Sequence, residues 1–231
     1  MLKIIIADSR MPKEAKTKLE SFGKVYWLET QNFVYESIAA HPDIFFFQYS
    51  DGLIAAPNAP EKWIDDLKKS GINIEKGSKP LGNQHPETVF YNAVAIDNIL
   101  IHNIKLTDNI ILEKFVNATK IHVKQAYTRC NLIALNSNNY ITSDRNIQKK
   151  LEQLGFNVLF INPSQIALQH HNHGFFPGCC GFFDNTLFVC GNINQLTEKE
   201  EFELFLKQNN CKYITLYEGA LTDVGSIYFV S

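Results

Sequence analysis

Two phrases of the sequence place a carboxylate two residues after a histidine, and each could meet a cation. They are His41-Pro42-Asp43 and His85-Pro86-Glu87. Carboxylates accept strong charge-assisted hydrogen bonds from cationic groups, so Asp43 and Glu87 are predicted to face a cationic ligand. Two structural interpretations stay open. The carboxylates could cap exposed backbone amides, and each proline could serve only to hold the preceding histidine extended.

A second cluster combines imidazoles with thiols in a glycine-rich segment, and it contains His170, His171, His173, Cys179 and Cys180. Imidazole and thiolate are zinc ligands, but the spacing matches no established zinc motif, so we predict no metal site. The flanking glycines let the backbone approach a ligand closely or make a sharp bend, so a ligand-facing role for Cys179 is one of two open interpretations. Adjacent strand residues alternate faces, so at most one of the two cysteines would line a site.

The other three cysteines are Cys130, Cys190 and Cys211. Cys190 and Cys211 lie in apolar strands and are predicted to fill the core, as free cysteines usually do. Cys130 follows Arg129, whose charge would lower the pKa of the thiol if the two side chains met. As neighbours on a strand they would point to opposite faces, which favours a structural role for Cys130.

Composition limits the class of protein before any element is assigned. The formal net charge is -2, which gives no basic field for nucleic acid. No apolar run approaches the ~20 residues that span a bilayer, and the segment from Met1 to Asp8 is too short and too soon charged for a secretory signal. Five cysteines without a disulfide-scaffold spacing fit a reducing compartment, so we expect a cytoplasmic protein.

The elements that must position these residues repeat with a period of about 46 residues. Short apolar strands begin near Ile4, Gly52, Asn98, Tyr140 and Thr186, and an amphipathic segment of about three turns follows each. A second strand and, after a variable loop, a third strand complete each unit. We therefore predict a single domain over residues 1–231, with repeats at approximately 1–50, 51–97, 98–138, 139–185 and 186–231.

Two details of these units make specific expectations. In the fifth unit Thr197 and Glu200 predict a capping box at the start of the helix. The third strands are predicted at 43–47, 87–91, 130–134, around 175–183, and 225–229. Alternation of strands and helices would also fit a doubly wound nucleotide-binding sheet, but no Gly-x-Gly-x-x-Gly follows any strand.

Five strand–helix–strand–strand units around a pseudo-fivefold axis resemble the pentein fold of the guanidine-modifying enzymes, an α/β propeller. The phrase from His41 to Phe46 resembles the His-x-Asp-x-x-Phe strand of arginine deiminases and dimethylarginine dimethylaminohydrolases, and the phrase from His85 to Phe90 repeats it. The segments 127–131, 173–176 and 221–226 look like an uncharacterised bacterial branch of that group.

The resemblance implies a central site, because in that fold the third strand of each unit lines the central hole. The implied ligand-binding residues are His41, Asp43, His85, Glu87, Asn131, Asp223 and Ser226, and the implied catalytic residues are Cys130, Cys179 and His173, with His171 nearby. Carboxylates would hold a guanidinium group, a thiolate would attack its central carbon, and a histidine would protonate the leaving amine. No cofactor is implied.

The last unit departs from the family pattern. Catalytic members carry a nucleophilic cysteine there, whereas this chain has Asp223-Val224-Gly225-Ser226. We therefore predict a protein that binds a small, cationic guanidino or amidine ligand without that cysteine. The alternative is a cysteine-dependent hydrolase or amidinotransferase with its nucleophile moved to Cys130 or Cys179. The sequence leaves the oligomeric state open.

Overall fold

A computed structural model describes residues 4–230, so Met1–Lys3 and Ser231, which the first and last predicted repeats include, lie outside the described residues. The strands are β1 (Ile4–Asp8), β2 (Lys24–Leu28), β3 (Phe46–Tyr49), β4 (Gly52–Ala55), β5 (Ile74–Lys76), β6 (Val94–Ile96), β7 (Ile99–His102), β8 (Thr119–His122), β9 (Leu132–Asn136), β10 (Asn139–Thr142), β11 (Asn157–Phe160), β12 (Cys180–Phe183), β13 (Thr186–Val189), β14 (Lys212–Thr215) and β15 (Tyr228–Val230).

The α-helices are α1 (Lys13–Glu20), α2 (Pro42–Phe45), α3 (Glu61–Lys69), α4 (Asn109–Lys114), α5 (Thr128–Asn131), α6 (Arg145–Gln153) and α7 (Lys199–Gln208). Short 3-10 helices cover Glu36–Ile38, Pro163–Gln165, Phe176–Cys179 and Ile193–Gln195. The long helices bury one face, as their apolar spacing predicts; in α6, Ile147 and Leu151 are fully buried. Among residues 4–230 no helix is long and apolar enough to cross a membrane.

The strands form five small sheets of three strands each. In every sheet the central strand pairs parallel with the strand that follows its helix and antiparallel with the strand that precedes it in the ring; β10, for example, lies between β11 and β9. Such sheets of three confirm the five-unit α/β propeller. The doubly wound alternative is wrong, because in the described part of the chain no sheet continues beyond three strands.

The two ends of the chain close the ring. β15 pairs antiparallel with β1, with Ile4 opposite Val230. Consecutive inner strands pack against each other from β3 through β6, β9 and β12 to β15. Between β15 and β3, the Gln48 side-chain amide donates a hydrogen bond to the Phe229 carbonyl at 2.5 Å, and the Tyr228 hydroxyl donates to the Phe46 carbonyl at 3.1 Å. The inner strands therefore surround a common centre.

The third strands begin later than the sequence predicts. Residues 42–45, 128–131 and 176–179 form single helical turns, and the inner strands start only after them. Tertiary hydrogen bonds hold these turns: Asn92 Oδ1 accepts from the backbone N–H of Arg129 at 2.7 Å and of Cys130 at 3.3 Å. Partners so distant in sequence leave no local signal, which is why a turn was not predicted.

Two further expectations are corrected. The segment 87–91, predicted as a third strand, forms turns, and the inner strand of that unit is β6. The predicted capping box is wrong as well, because the Thr197 hydroxyl donates to Gln165 Oε1 at 2.8 Å and caps no helical amide. Gln165 ends the 3-10 helix Pro163–Gln165, so a partner from a different element replaces the local one.

Candidate functional site

The helical turns that precede the inner strands surround a cavity of about 470 Å³ at one mouth of the ring. We call it the turn cavity, and its lining residues are Tyr35, Ile38, His41, Asp43, Ile44, His85, Tyr127, Cys130, Leu168, His171, Asn172, His173, Phe175 and Asp223. They come from distant parts of the chain. The lining holds two carboxylates and four imidazoles but no lysine or arginine.

Asp43 lies in the α2 turn and is fully buried. Its Oδ2 accepts a hydrogen bond from the Ser226 hydroxyl at 2.7 Å, whereas its Oδ1 has no partner among the described residues. Burial raises the pKa of Asp43 to about 6, although the hydrogen bond from Ser226 and the charge of Arg129 lower it. A buried carboxylate oxygen without a donor is costly, so this atom is the strongest local sign of a missing partner.

Asp223 supplies the second buried carboxylate. Its Oδ2 accepts from the Phe175 backbone N–H and its Oδ1 from the Gly225 backbone N–H, both at 3.0 Å. Burial, followed by the neighbouring charge of Asp43, raises the pKa of Asp223 to about 7. The carboxylate packs so closely on Gly178 that a Cβ there would lie 2.2 Å from Oδ1. The two carboxyls therefore share one negative site whose charge depends on pH near neutrality.

His41 is the most buried imidazole of the lining, at 4% exposure. Its Nε2 lies 3.7 Å from Asp8 Oδ2, and Asp8 is in turn held by a bidentate contact with Arg10. Burial lowers the pKa of His41 to about 4, against the opposing charge of Asp8. His41 is thus neutral at physiological pH and can accept or donate a hydrogen bond in the cavity without adding charge.

Cys130 brings a thiol to the same cavity from the α5 turn. Its Sγ donates to the Tyr127 carbonyl at 3.4 Å, and burial raises the pKa of this thiol well above its ordinary value, with Asp43 and Asp223 adding to the effect. Asn92 fixes the position of the turn by donating to the Asp43 carbonyl at 2.9 Å while capping α5. One amide side chain thereby ties two cavity-lining turns together.

The walls of the cavity are aromatic and aliphatic. Tyr127 is held by a 2.6 Å hydrogen bond between its hydroxyl and that of Thr88. The loop that carries His171 is tied across the mouth, because His171 Nε2 lies 2.8 Å from the buried Ser37 hydroxyl. Aromatic faces beside two carboxylates suit a planar cation.

The structure brings together many, though not all, of the residues that the sequence singled out. His41, Asp43, His85, Cys130, His171, His173 and Asp223 all line the turn cavity. Ser226 lies behind Asp43 as its hydrogen-bond donor, in a left-handed conformation with φ +70°. Asn131 is buried, with its Oδ1 unpaired and its Nδ2 donating to the Tyr127 carbonyl, and it does not line the cavity.

Two predicted residues lie elsewhere. Glu87 is exposed on turns next to Gly82. Cys179 is fully buried in the core, where its Sγ donates to the Phe175 carbonyl at 3.5 Å and burial raises its pKa well above the ordinary value. Neither lines the turn cavity, and the roles assigned to them from the sequence stay predictions.

Sequence reasoning missed Asp8, Arg10 and Asn92. Asp8 ends the apolar run Ile4–Ala7, and a carboxylate at the end of a buried strand is a recognisable signal that was available. Asn92 gives no comparable signal, because its partners lie 49 and 37 residues away in the chain. Among residues 4–230 no three His, Cys, Asp or Glu side chains converge as a metal site.

A ring of five three-stranded sheets around a central site defines the pentein, or guanidine-modifying-enzyme, fold. Residues 6–228 match the family of unknown function DUF6873, and the chain belongs to that family. No curated protein matches the sequence.

Solved structures of low sequence identity share the architecture. DDAH from Pseudomonas aeruginosa, a mutant complexed with citrulline, is similar at a TM-score of 0.56 and 12% identity over 93% of this chain and 92% of that chain. C. jejuni agmatine deiminase is similar at a TM-score of 0.57 and 8% identity, over 93% of this chain and 87% of that chain. The inosamine-phosphate amidinotransferase from Streptomyces griseus is similar at a TM-score of 0.53 and 10% identity, over 96% of this chain and 93% of that chain. At these identities the similarity shows the fold alone.

Proposed function

We propose that this protein binds a small organic monocation, a guanidinium or amidinium group, between Asp43 and Asp223 in the turn cavity, without forming a covalent bond to it. The observation that carries the proposal is the unpaired, buried Oδ1 of Asp43, a residue of the cavity lining. A planar cation with several N–H donors would satisfy this oxygen and compensate the shared negative charge. The lining offers no lysine or arginine that would do so in its place.

The walls of the cavity support the same class of ligand. Tyr35, Tyr127 and Phe175 line it beside the carboxylates, and aromatic faces attract cations that have left water. His41, neutral because of its lowered pKa, adds polarity without repelling a cation. The cavity volume of about 470 Å³ falls within the range of about 300 to 1,000 Å³ that is usual for small-molecule sites.

The state of the cysteines favours binding over covalent chemistry. The thiolate is the nucleophilic form of cysteine, and burial raises the pKa of the Cys130 and Cys179 thiols well above the ordinary value. Ser226, in the last unit, where catalytic relatives carry cysteine, donates a hydrogen bond from its hydroxyl to Asp43 and is absent from the cavity lining.

A cysteine-dependent hydrolase or amidinotransferase is the second candidate, and one observation favours it. Cys130 lines the turn cavity together with His85 and His173, so a thiol and a possible proton donor face the same space. Iodoacetamide labelling between pH 5 and 9, read by mass spectrometry at each cysteine, distinguishes the two candidates. Fast labelling of Cys130 well below the ordinary thiol pKa of about 8.5 would support the enzyme.

Isothermal titration with methylguanidinium and with methylurea tests the proposed function directly, because the two probes share a shape and differ in charge. We expect methylguanidinium to bind and methylurea not to bind. Asp43→Asn should weaken methylguanidinium binding by about tenfold or more, since it removes a buried charged partner. Asp65→Asn is the matched control, because Asp65 is exposed in a separate surface cavity. Equal binding of both probes, or unchanged affinity in Asp43→Asn, would refute the proposal.

A further inference from the structure

A second cavity, of about 250 Å³, is lined mainly by residues of the inner strands and shares no lining residue with the turn cavity. We call it the strand cavity. Polar and apolar atoms contribute equally to its wall, and the apolar side chains include Ile133, Ala134, Phe182 and Phe229. It is smaller than the about 300 Å³ at which drug-sized sites begin, so it suits a ligand smaller than a typical drug.

Arg129 is the only charged residue in this lining. Its side chain and that of Cys130 follow each other in the sequence but lie in opposite cavities. Nη1 donates to the Pro177 carbonyl and Nη2 to the Cys180 carbonyl, each at 3.3 Å. No ion pair within residues 4–230 includes Arg129. Each of the two terminal nitrogens keeps a second N–H, because a guanidinium has five donors in a planar fork.

The surroundings of Arg129 limit the charge of any ligand. The positive charge of Arg129 lowers the pKa of Asp43 and that of Asp223. The two carboxyls therefore already compensate part of the arginine charge from the other side. A single negative charge could be balanced here, whereas a dianion such as phosphate would lack a second cation.

We propose that the strand cavity binds a small organic monocarboxylate, whose two oxygens pair with the Arg129 guanidinium while its apolar part packs against Ile133, Phe182 and Phe229. The forked donor set matches a carboxylate in a bidentate geometry, and the apolar side chains of the wall offer contacts to the carbon atoms of the ligand. This site is independent of the proposed cation site and would stand if cation binding failed.

The chain has three arginines, Arg10, Arg129 and Arg145, so an NMR spectrum of the arginine Nε–Hε groups resolves the question in the intact protein. Arg129→Lys and Arg145→Gln each remove one resonance and so assign the spectrum. If Arg129→Lys does not fold, Arg145→Gln and Arg10→Lys assign Arg129 by elimination. The probes are benzoate, its neutral counterpart benzamide, and inorganic phosphate at equal ionic strength.

We expect benzoate to shift the Arg129 resonance with saturation and to leave that of Arg145, which is exposed, in place. Ala134→Leu should weaken benzoate binding by about tenfold, because it fills the cavity while keeping Arg129. Three results would overturn the site: an Arg129 resonance that does not move, an equal shift at Arg145, or an equal effect of benzamide. Phosphate binding as tightly as benzoate would overturn the monocarboxylate class.

Discussion

The two mouths of the ring are built from the same five inner strands, yet they differ in packing and in charge. At the turn cavity, helical turns precede the strands and carry Asp43 and Cys130, and Asp223 lies in the loop before β15. At the strand cavity the strands form most of the wall, and Arg129, which the α5 turn contributes, is the single charged group. In this propeller the two carboxylates and the thiol of the turn cavity therefore lie on turns and loops and not on the regular strands.

The mouths also differ in how tightly the backbone is constrained. At the turn cavity Gly225 has φ +65°, and a Cβ there would lie 2.1 Å from His41 Cβ. At the strand cavity Ala134 is half-buried and borders open space. Because the backbone is closely packed at the turn cavity and has room at the strand cavity, we expect an added side-chain atom to lower the free energy of unfolding more at the turn cavity.

Gly225→Ala should have the largest effect on stability. It adds strain from the left-handed backbone to a clash with a buried side chain, and we expect a loss of about 3 kcal/mol in the free energy of unfolding. Gly71→Ala is the matched control, because Gly71 has φ +87° with nothing within 4 Å of the added Cβ. That control should lose only about 1 kcal/mol. Urea denaturation measures the free energy of unfolding of both variants. Equal losses in the two would show that the backbone at the turn cavity is not tightly packed.

The affinity for methylguanidinium should rise with pH. Protonated carboxyls do not attract a cation, and the raised pKa values of Asp43, about 6, and Asp223, about 7, place their ionisation near neutrality. Affinity should therefore be low at pH 5, increase through pH 6 and 7, and level off above pH 8.

Calorimetry across this range measures the effect, and Asp223→Asn provides the control. This variant should flatten the upper part of the pH profile, near 7, because Asp43 alone then titrates. An affinity that falls or stays constant between pH 5 and 8 would contradict the placement of the cation between the two carboxyls.

Occupancy of the strand cavity should strengthen cation binding by a smaller factor. A carboxylate paired with Arg129 would offset the charge that now compensates Asp43 and Asp223, so the turn cavity would become more negative. We expect benzoate to increase methylguanidinium affinity by about fivefold or less, and methylguanidinium to increase benzoate affinity by the same factor. Titration of each probe with and without the other measures the coupling. An unchanged affinity, or weakened binding, would break the link between the mouths.

Cys130→Ser should have the smallest effect. The Cys130 thiol is protonated because of its raised pKa, so its replacement removes no charge from the turn cavity. We expect methylguanidinium affinity to change by about threefold or less. A much larger loss in titration calorimetry would indicate a direct role for the thiol and favour the enzyme hypothesis.

Much of the fold could be predicted, because the helices and central strands follow from the spacing of apolar residues that are close in sequence. The apolar spacing of Ile147 and Leu151 in α6, and the apolar runs of the central strands, recur in each unit and need no knowledge of distant partners. The wrong predictions fall where a hydrogen bond to a residue remote in sequence replaces a local hydrogen bond. The third strands were predicted to begin at 43 and 130, and the observed turns there depend on Asn92 and Gly225, which are remote in sequence.

The sequence by itself determined the five units, their helix faces and the candidate polar residues, because periodicity and residue chemistry are properties of neighbours along the chain. Only the tertiary structure decided which candidates meet. It brings Asp43 and Asp223 into the lining of one cavity and takes Cys179 into the core. The physical reason is that convergence and burial depend on closing the ring, which joins residues from opposite ends of the chain.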